Sequence, residues 1–418
     1  MQIRTLSAKQ REIMAFAATD ELALVCDGSV RSGKTITMAM AFLLWAMARY
    51  DRTSFAICGK TVQSAERNIL APLLEIDGLR DMLDMQYKRS ARVLTVRCGG
   101  KSNSFYLFGG KDESSYMLIQ GITLAGVLFD EVALMPRSFV EQALSRAISY
   151  AQPKYFFNCN PDSPEHWFYK SWILPERAGV RRIHFCLEDN PILTPEMIER
   201  TKSMYSGVFY ERYILGRWVV AEGLVYPGFG DGCIVDEIPR RGRYYISIDY
   251  GTQNPFSAGL WCWADGVATR IREYYYSGRD TQVQRTDEDY CDAVEALAEE
   301  LPIECVVVDP SAASFIVALR RRGRFTVRKA RNDVLDGIRL VASYLQTGKI
   351  KVHRSCTDCI REFRTYRWDA EASRRGRDAV IKDNDHAMDD LRYFCATVLP
   401  SLIGGAADTD DLYGGIML

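Results

Sequence analysis

Gly28-Ser29-Val30-Arg31-Ser32-Gly33-Lys34-Thr35 decides the fold of this chain. The run satisfies G-x-x-x-x-G-K-[ST] in full. Backbone N–H groups of such a Gly-rich turn, with the N-terminus of the helix behind it, cradle phosphates. Gly28, Arg31, Ser32, Gly33, Lys34 and Thr35 are therefore candidate contacts for ATP. Lys34 would reach the β- and γ-phosphates, and the Thr35 hydroxyl would ligate Mg²⁺. The surroundings agree with the motif. Leu22-Ala23-Leu24-Val25-Cys26 reads as a strand entering the loop, and the apolar stretch 38–48 reads as the buried helix leaving it. That stretch is too short to span a bilayer.

Outward from the loop, apolar runs recur at residues 55–58, 105–108, 126–129 and 155–158, with amphipathic stretches between them. Near-continuous apolar strands alternating with helices imply a parallel sheet covered on both faces. The run Val127-Leu128-Phe129 closes on Asp130-Glu131. At that strand end Asp130 would hold Mg²⁺, and Glu131 would act as general base on the attacking water. Arg31 either senses the γ-phosphate or is a solvated loop residue. Gln10 either reads adenine through its amide or sits exposed on a helix. Asn158 and Asn160 end the fifth strand, where a polar side chain senses hydrolysis or caps the turn at Pro161. Arg137 and Arg146 would act across a subunit boundary or form surface ion pairs.

The chain has 418 residues, 47% hydrophobic and 26% charged, with a formal net charge of -1. That is room for two domains with their own cores. A near-neutral total excludes a simple polycation, so any nucleic-acid surface is a local patch. The N-terminal MQIRTLSAKQREIM has no apolar core of a signal peptide. The 12 cysteines are scattered, several inside apolar runs, which is the habit of buried free thiols. Cys356 and Cys359 form one CxxC without a second pair nearby, so packing is favoured over zinc.

The texture changes near residues 216–232, where glycines crowd with Pro227. The expected division is a motor domain over 1–215, a linker over 216–240, a second domain over 241–402 and a flexible tail over 403–418. In the second domain, Tyr244-Tyr245-Ile246-Ser247-Ile248 ends on Asp249, and Cys305-Val306-Val307-Val308 ends on Asp309. Residues 258–263 and 272–276 would pair as a meander. In an RNase H-like sheet the first and fourth strands are neighbours, so these two acids would meet. Asp383-Asn384-Asp385-His386-Ala387-Met388-Asp389-Asp390 opens a late helix on which His386 and Asp389 share a face. Phosphodiester hydrolysis by two divalent ions needs carboxylates from converging elements. Asp249, Asp309 and Asp389 are the candidate ligands for two Mg²⁺ or Mn²⁺. His386 would ligate or position water, or be an ordinary helix-terminal histidine, and Asp390 would be a solvated neighbour. Arg320, Arg321, Arg322, Arg324, Arg328, Lys329 and Arg331, and separately Arg374, Arg375, Arg377 and Lys382, would contact DNA phosphates.

Taken together, GSVRSGKT, the strand with FDE, FNCNPDSPEHWFY, YILGRWVVAEGLVYPGF, SIDYG, VVVDPSA and DNDHAMDDLRYF resemble the large terminase subunit of tailed bacteriophages and prophages, close to the PBSX-type group. The resemblance runs from about Leu6 to Leu399. It implies an α/β protein, with a P-loop (RecA/ASCE-like) ATPase domain followed by an RNase H-like nuclease domain. It implies ATP-driven translocation of double-stranded DNA into a procapsid and metal-dependent cutting of the concatemer. Lys34, Thr35, Asp130 and Glu131 would carry ATPase roles, and Asp249, Asp309 and Asp389 metal binding with His386 nearby. Expected partners are the small terminase subunit, the portal protein and further copies in a ring of five, the isolated chain being a monomer. No membrane is involved. The expected location is the host cytoplasm, transiently at the portal and outside the mature virion. Cys159 departs from a segment that usually carries small hydroxyl residues, which bears on Asn160. Two other readings are a helicase-like repair ATPase, which needs a second motor-like sheet, and a decayed, catalytically dead DNA-binding adaptor.

Overall fold

Two mixed β-sheets, each with helices packed on its faces, organise residues 5–252 and 254–404, the part of the chain this computed structural model describes. The first four residues, and the expected tail from residue 405 onward, lie outside it.

The first sheet contains β1 (Ala23–Gly28), β2 (Ser54–Gly59), β3 (Asp84–Lys88), β4 (Val93–Cys98), β5 (Lys101–Gly109), β6 (Gly126–Phe129), β7 (Lys154–Cys159) and β8 (Val180–Phe185), in the order β3-β4-β5-β2-β6-β7-β1-β8. The five apolar runs are its parallel centre, β5-β2-β6-β7-β1. Alternate residues of β1 enter different cores: Leu24 and Cys26 face one, Ala23 and Val25 the other. A strand buried on both faces cannot alternate with polar residues, which is why these runs are continuous. The edges do not have that signature. β3 and β4 form an antiparallel hairpin with polar residues interleaved, and β8 carries two arginines. Helix α1 (Ala8–Phe16) starts at Ser7, whose hydroxyl and the Gln10 side chain form a reciprocal cap. Helix α2 (Lys34–Arg49) follows the phosphate-loop motif. Its Phe42 meets Phe55, Phe105 and Phe156 edge-on. Such a fully buried ring stabilises the fold by about 1.5–3 kcal/mol.

Helix α3 (Gly207–Tyr213) and the stretch after it lead to the second sheet. That sheet contains β9 (Ile234–Val235), β10 (Arg243–Asp249), β11 (Phe256–Ala264), β12 (Val267–Tyr276), β13 (Ile303–Val308), β14 (Val327–Lys329) and β15 (Ile350–His353), in the order β14-β13-β10-β11-β12-β15-β9. β10, β11 and β12 are the antiparallel meander, and β13 lies parallel beside β10. Ile248 stands opposite Val308, so Asp249, the last residue of β10, and Asp309, the first after β13, sit at the same end of neighbouring strands. Three further helices matter here. Helix α4 (Asp287–Ala298) covers one face, with Tyr290 stacked on Phe256 at 4.1 Å. Helices α5 (Val334–Gln346) and α6 (His386–Thr397) cover the other, where Phe394 stacks on Trp261 at 4.4 Å.

The stretch 216–240 is not a bare tether. β9 pairs with β15, and Ala221, Val225, Tyr226 and Cys233 are buried in the core of the second sheet together with Phe209 of α3. Residues 366–381 form a hairpin-like excursion that reaches back to the first half. Gly376 adopts φ +74°, and a Cβ there would lie 2.6 Å from the Glu165 carbonyl, so only glycine allows this approach. Beside it, the buried Arg212 is ion-paired with Asp378 and with Asp162.

Candidate active sites

In the first site, the turn of β1 into α2 is fixed by steric needs. Gly28 (φ +130°) lies so close to β8 that a Cβ would strike the Phe185 carbonyl at 2.0 Å, and Gly33 (φ +81°) packs beneath the Gln10 amide. Arg31 holds φ +54°, and its carbonyl accepts from Asn190 at 2.7 Å. The buried Lys34 ammonium donates to the carbonyls of Gly28 (3.2 Å) and Ser29 (2.5 Å), to the Ser32 hydroxyl (3.2 Å) and to Asn160 Oδ1 (3.3 Å). Burial pushes its pKa down. A phosphate would replace weak carbonyl acceptors with charged oxygens, the stronger kind of hydrogen bond.

Opposite Lys34, Thr35 Oγ1 donates to Asp130 Oδ1 at 3.2 Å, and Asn158 Nδ2 reaches both Asp130 (2.5 Å) and Thr35 (2.8 Å). Burial raises the Asp130 pKa, while hydrogen bonds from Asn158, Thr35 and Asn68 oppose the shift. Glu131 sits in the left-handed region at φ +57°, and burial, then the charge of Asp130, lift its pKa to about 7. Strained backbone of this kind concentrates at working sites. Gln10 is buried against the loop rather than exposed on its helix. Its Oε1 already accepts from the Ser7 N–H at 2.9 Å, so one amide edge is used within α1. Arg137 pairs with Glu141 at 2.6 Å and Arg146 contacts Ser145 at 3.4 Å.

The second site forms where β10, β13 and α6 converge, beside a cavity of about 1260 Å³ whose lining includes Asp249, Lys382, Asp385, His386 and Asp389. Asp249 Oδ2 is bonded to His386 Nδ1 at 2.8 Å, and Oδ1 accepts from Tyr393 at 3.4 Å. Burial, more than any charge, raises the Asp249 pKa to about 6, and both Asp389 and Asp309 act on it in the same direction. Asp389 accepts from Arg392 (2.9 Å) and Lys382 (3.0 Å). Asp309, off the cavity lining, is held by the Ser311 N–H (2.9 Å) and hydroxyl (2.7 Å). The three acids thus converge, but in ion pairs and hydrogen bonds rather than as a preformed cage. Among the described residues, no group of three or more His, Cys, Asp and Glu stands at metal-holding spacing. The donor chemistry, carboxylates with one imidazole, still suits hard divalent ions. A tethered ammonium already bridges Asp385 (2.9 Å) and Asp389 (3.0 Å).

Several sequence expectations need correction. Asp390 is not solvated: it is fully buried, paired with Arg270 and bonded to the hydroxyls of Ser247 and Ser257, because it faces the sheet while Asp389 faces the cavity. Lys382 belongs with the carboxylates rather than to an open phosphate-binding face. Burial works against its charge, but Asp389 and Asp385 outweigh this and raise its pKa. The first arginine cluster is partly neutralised, since Arg322 pairs with Glu288, Asp292 and Glu295 of α4. Arg321, Arg328, Lys329 and Arg331 remain exposed. Cys356 and Cys359 are buried free thiols in the core.

Other residues escaped the sequence reading. Asp27 is buried beneath the loop. Burial opposes its charge, but hydrogen bonds from His184, Arg182 and Trp218 hold its pKa below the usual carboxylate range. Glu362 accepts from the first N–H groups of α6, Ala387 (2.6 Å) and Met388 (3.2 Å). A polar residue far away in sequence gives no local signal of such a role. The second sheet, with its antiparallel meander, is not the second motor-like sheet that a helicase needs.

Comparison with known proteins agrees with this arrangement. Residues 25–230 match the family model described as terminase large subunit, T4likevirus-type, N-terminal. A curated large terminase subunit of Escherichia phage T5 is 23% identical over 223 residues, so the match spans 50% of this chain and 50% of that protein. A solved large terminase from a thermophilic bacteriophage is 44% identical, with 95% of this chain and 100% of that chain covered at a TM-score of 0.90. The same thermophilic-phage protein in complex with ADP is 43% identical, covering 94% and 100% at a TM-score of 0.89. With a relative this similar over its full length, two sheets in the same arrangement and a phosphate loop in place, the chain belongs to the large terminase family.

Proposed function

We propose that this large terminase subunit hydrolyses ATP to drive double-stranded DNA into a procapsid and cuts concatemeric DNA at a separate, metal-dependent centre. One observation carries the reading: a single chain holds a phosphate loop with Thr35, Asp130 and Asn158 interlocked behind it, and a distinct convergence of Asp249, Asp309 and Asp389 at the strand ends of another sheet.

In the motor, Lys34 exchanges its carbonyl acceptors for the β- and γ-phosphates. Thr35 and Asp130 hold Mg²⁺, and Glu131, with its pKa near neutrality, takes the proton of the attacking water. Gln10, Gly28, Arg31, Ser32 and Gly33 frame the nucleotide, and Asn160 meets Lys34 from the end of the fifth strand. In the nuclease, Asp249, Asp309 and Asp389 hold two Mg²⁺ or Mn²⁺, with His386 orienting Asp249. Ions bound there would activate water for attack and stabilise the leaving oxygen. Lys382 must leave Asp389 for this to happen. Family membership supports DNA, the small terminase subunit, the portal and a ring of five copies as partners, with the chain monomeric in isolation. It also supports the host cytoplasm, and transiently the portal, as location. Among the described residues no helix is long and apolar enough to cross a membrane.

Lys34→Ala should abolish ATP hydrolysis and leave Mn²⁺-dependent plasmid nicking without nucleotide. Asp309→Asn should remove nicking and leave ATP hydrolysis. Loss of both activities in either folded variant contradicts two separate centres.

A further inference from the structure

Asp27, the residue in front of the phosphate loop, is 0% exposed. Burying an ionised carboxylate is costly unless its oxygens are met by partners. Here both are. Arg182 of β8 donates through Nε to Oδ1 at 2.9 Å and through Nη2 to Oδ2 at 2.8 Å. Oδ2 also accepts from the Trp218 indole N–H at 2.9 Å and meets His184 Nδ1 at 3.3 Å. A two-point arginine pair is the strong, directional kind of ion pair. These partners come from two places, the edge strand β8 and the stretch after α3.

Both places also hold the backbone of the loop. From β8, the Phe185 carbonyl accepts from the Ser29 N–H at 2.8 Å. From the other side, the Tyr213 carbonyl at the end of α3 accepts from the Val30 N–H at 2.9 Å and the Ser29 hydroxyl at 2.7 Å. Gly216 then passes directly over the loop. It holds φ +68°, and a Cβ there would lie 2.9 Å from the His184 ring and 3.2 Å from Gly28 Cα. Residues 213–218 thus form a strap, fastened at Tyr213, seated at Gly216 and latched at Trp218. The first half of the loop is occupied by these partners, and the Lys34 ammonium takes the carbonyls of Gly28 and Ser29. The amides that meet phosphate must then come from the second half, at the start of α2. A loop held in its bound shape before the ligand arrives loses less entropy on binding.

We propose that Asp27 is a positioning residue for nucleotide binding: it latches the strap 213–218 and β8 together beneath the phosphate loop and sets the loop in its phosphate-binding shape. It acts through the loop, without touching the nucleotide itself. That shape serves ADP and ATP alike, so the latch favours ground state and transition state equally. Its effect therefore falls on affinity and KM rather than on kcat. The inference rests on residues 28–35 forming the nucleotide site.

The test uses the full chain. Asp27→Asn keeps the shape of the side chain and removes its charge. By calorimetry it should weaken binding of ADP and of ATP-γ-S alike, about tenfold each. KM for ATP should rise by a similar factor, with kcat within about twofold of the wild type. Gly216→Ala leaves Asp27 in place but lifts the strap, and should weaken ADP binding in the same direction. Trp218→Phe removes one donor and should weaken it by about threefold. Should Asp27→Asn fail to fold, these two variants carry the same readouts. Folded variants with lowered thermal stability but wild-type affinity for ADP overturn the proposal, because the latch is then structural alone. A fall in kcat at unchanged KM overturns it too, by placing Asp27 in the chemical step. Lys34→Ala separates this from failure of the site reading: undiminished ADP binding there removes the nucleotide from the loop itself.

Discussion

At the level of single residues, the acids that matter are distinguished by what surrounds them, not by their type. Asp389 and Asp390 are adjacent, yet one faces the cavity and the other a closed pocket of Arg270, Ser247 and Ser257. The helical period places them about 100° apart, which is enough to put one on water and one on the sheet. That difference was not legible in the sequence, because both flanks of the pair look equally suited to an exposed helix. The phosphate loop and Asp130-Glu131 were legible because their chemistry demands fixed local spacing. Glu362 was not, since its partners lie on another helix. Burial raises its pKa to about 7, and Tyr275 donates to it at 2.7 Å beside the two N–H groups of α6. Glu362→Ala leaves these donors without an acceptor and should destabilise the protein by about 2–4 kcal/mol, measured by urea unfolding.

At the level of elements, the hairpin-like excursion 366–381 holds the two halves together. It rests on His166, whose Cα would be 3.1 Å from a Cβ at Gly376 and whose Nδ1 accepts from the Phe168 N–H at 3.2 Å. Burial lowers the His166 pKa to about 4. The unfolded chain takes up this proton near pH 6.5 while the folded chain resists until about pH 4, so the unfolded state binds more protons in between. The stabilising difference is therefore present above pH 6.5 and is lost as pH falls towards 4, by at most about 3 kcal/mol. His166→Phe should flatten thermal stability over that interval, and an unaltered slope would show that other groups set it. The five central strands of the first sheet were legible from their continuous apolar runs. β3, β4 and β8 were not, because the outer β3-β4 hairpin and the edge strand β8 interleave polar and charged residues with apolar ones.

At the level of the whole molecule, the core of the second half begins upstream of the boundary that the sequence suggests. Phe209, Ala221, Val225, Tyr226 and Cys233 precede the second domain expected from the sequence yet pack within its apolar interior. Glycines and Pro227 made 216–240 read as a linker, and the intervening apolar residues gave no period by which to place them. A C-terminal fragment beginning at residue 206 should unfold at a higher temperature than one beginning at 241. The shorter piece loses β9 and the Tyr226 ring, and exposes Phe363 and Tyr366, on which that ring packs. Equal melting temperatures would show that those residues contribute little. The lysine lodged between Asp385 and Asp389 has a consequence on this scale too. If divalent ions act at these acids as proposed, a blade whose grip is already filled by its own cation would stay sheathed while they are scarce, and each incoming ion would have to evict a competitor that cannot diffuse away. Cutting should then depend steeply on free metal, and a particle being filled would meet a tool that arms itself only when the supply permits.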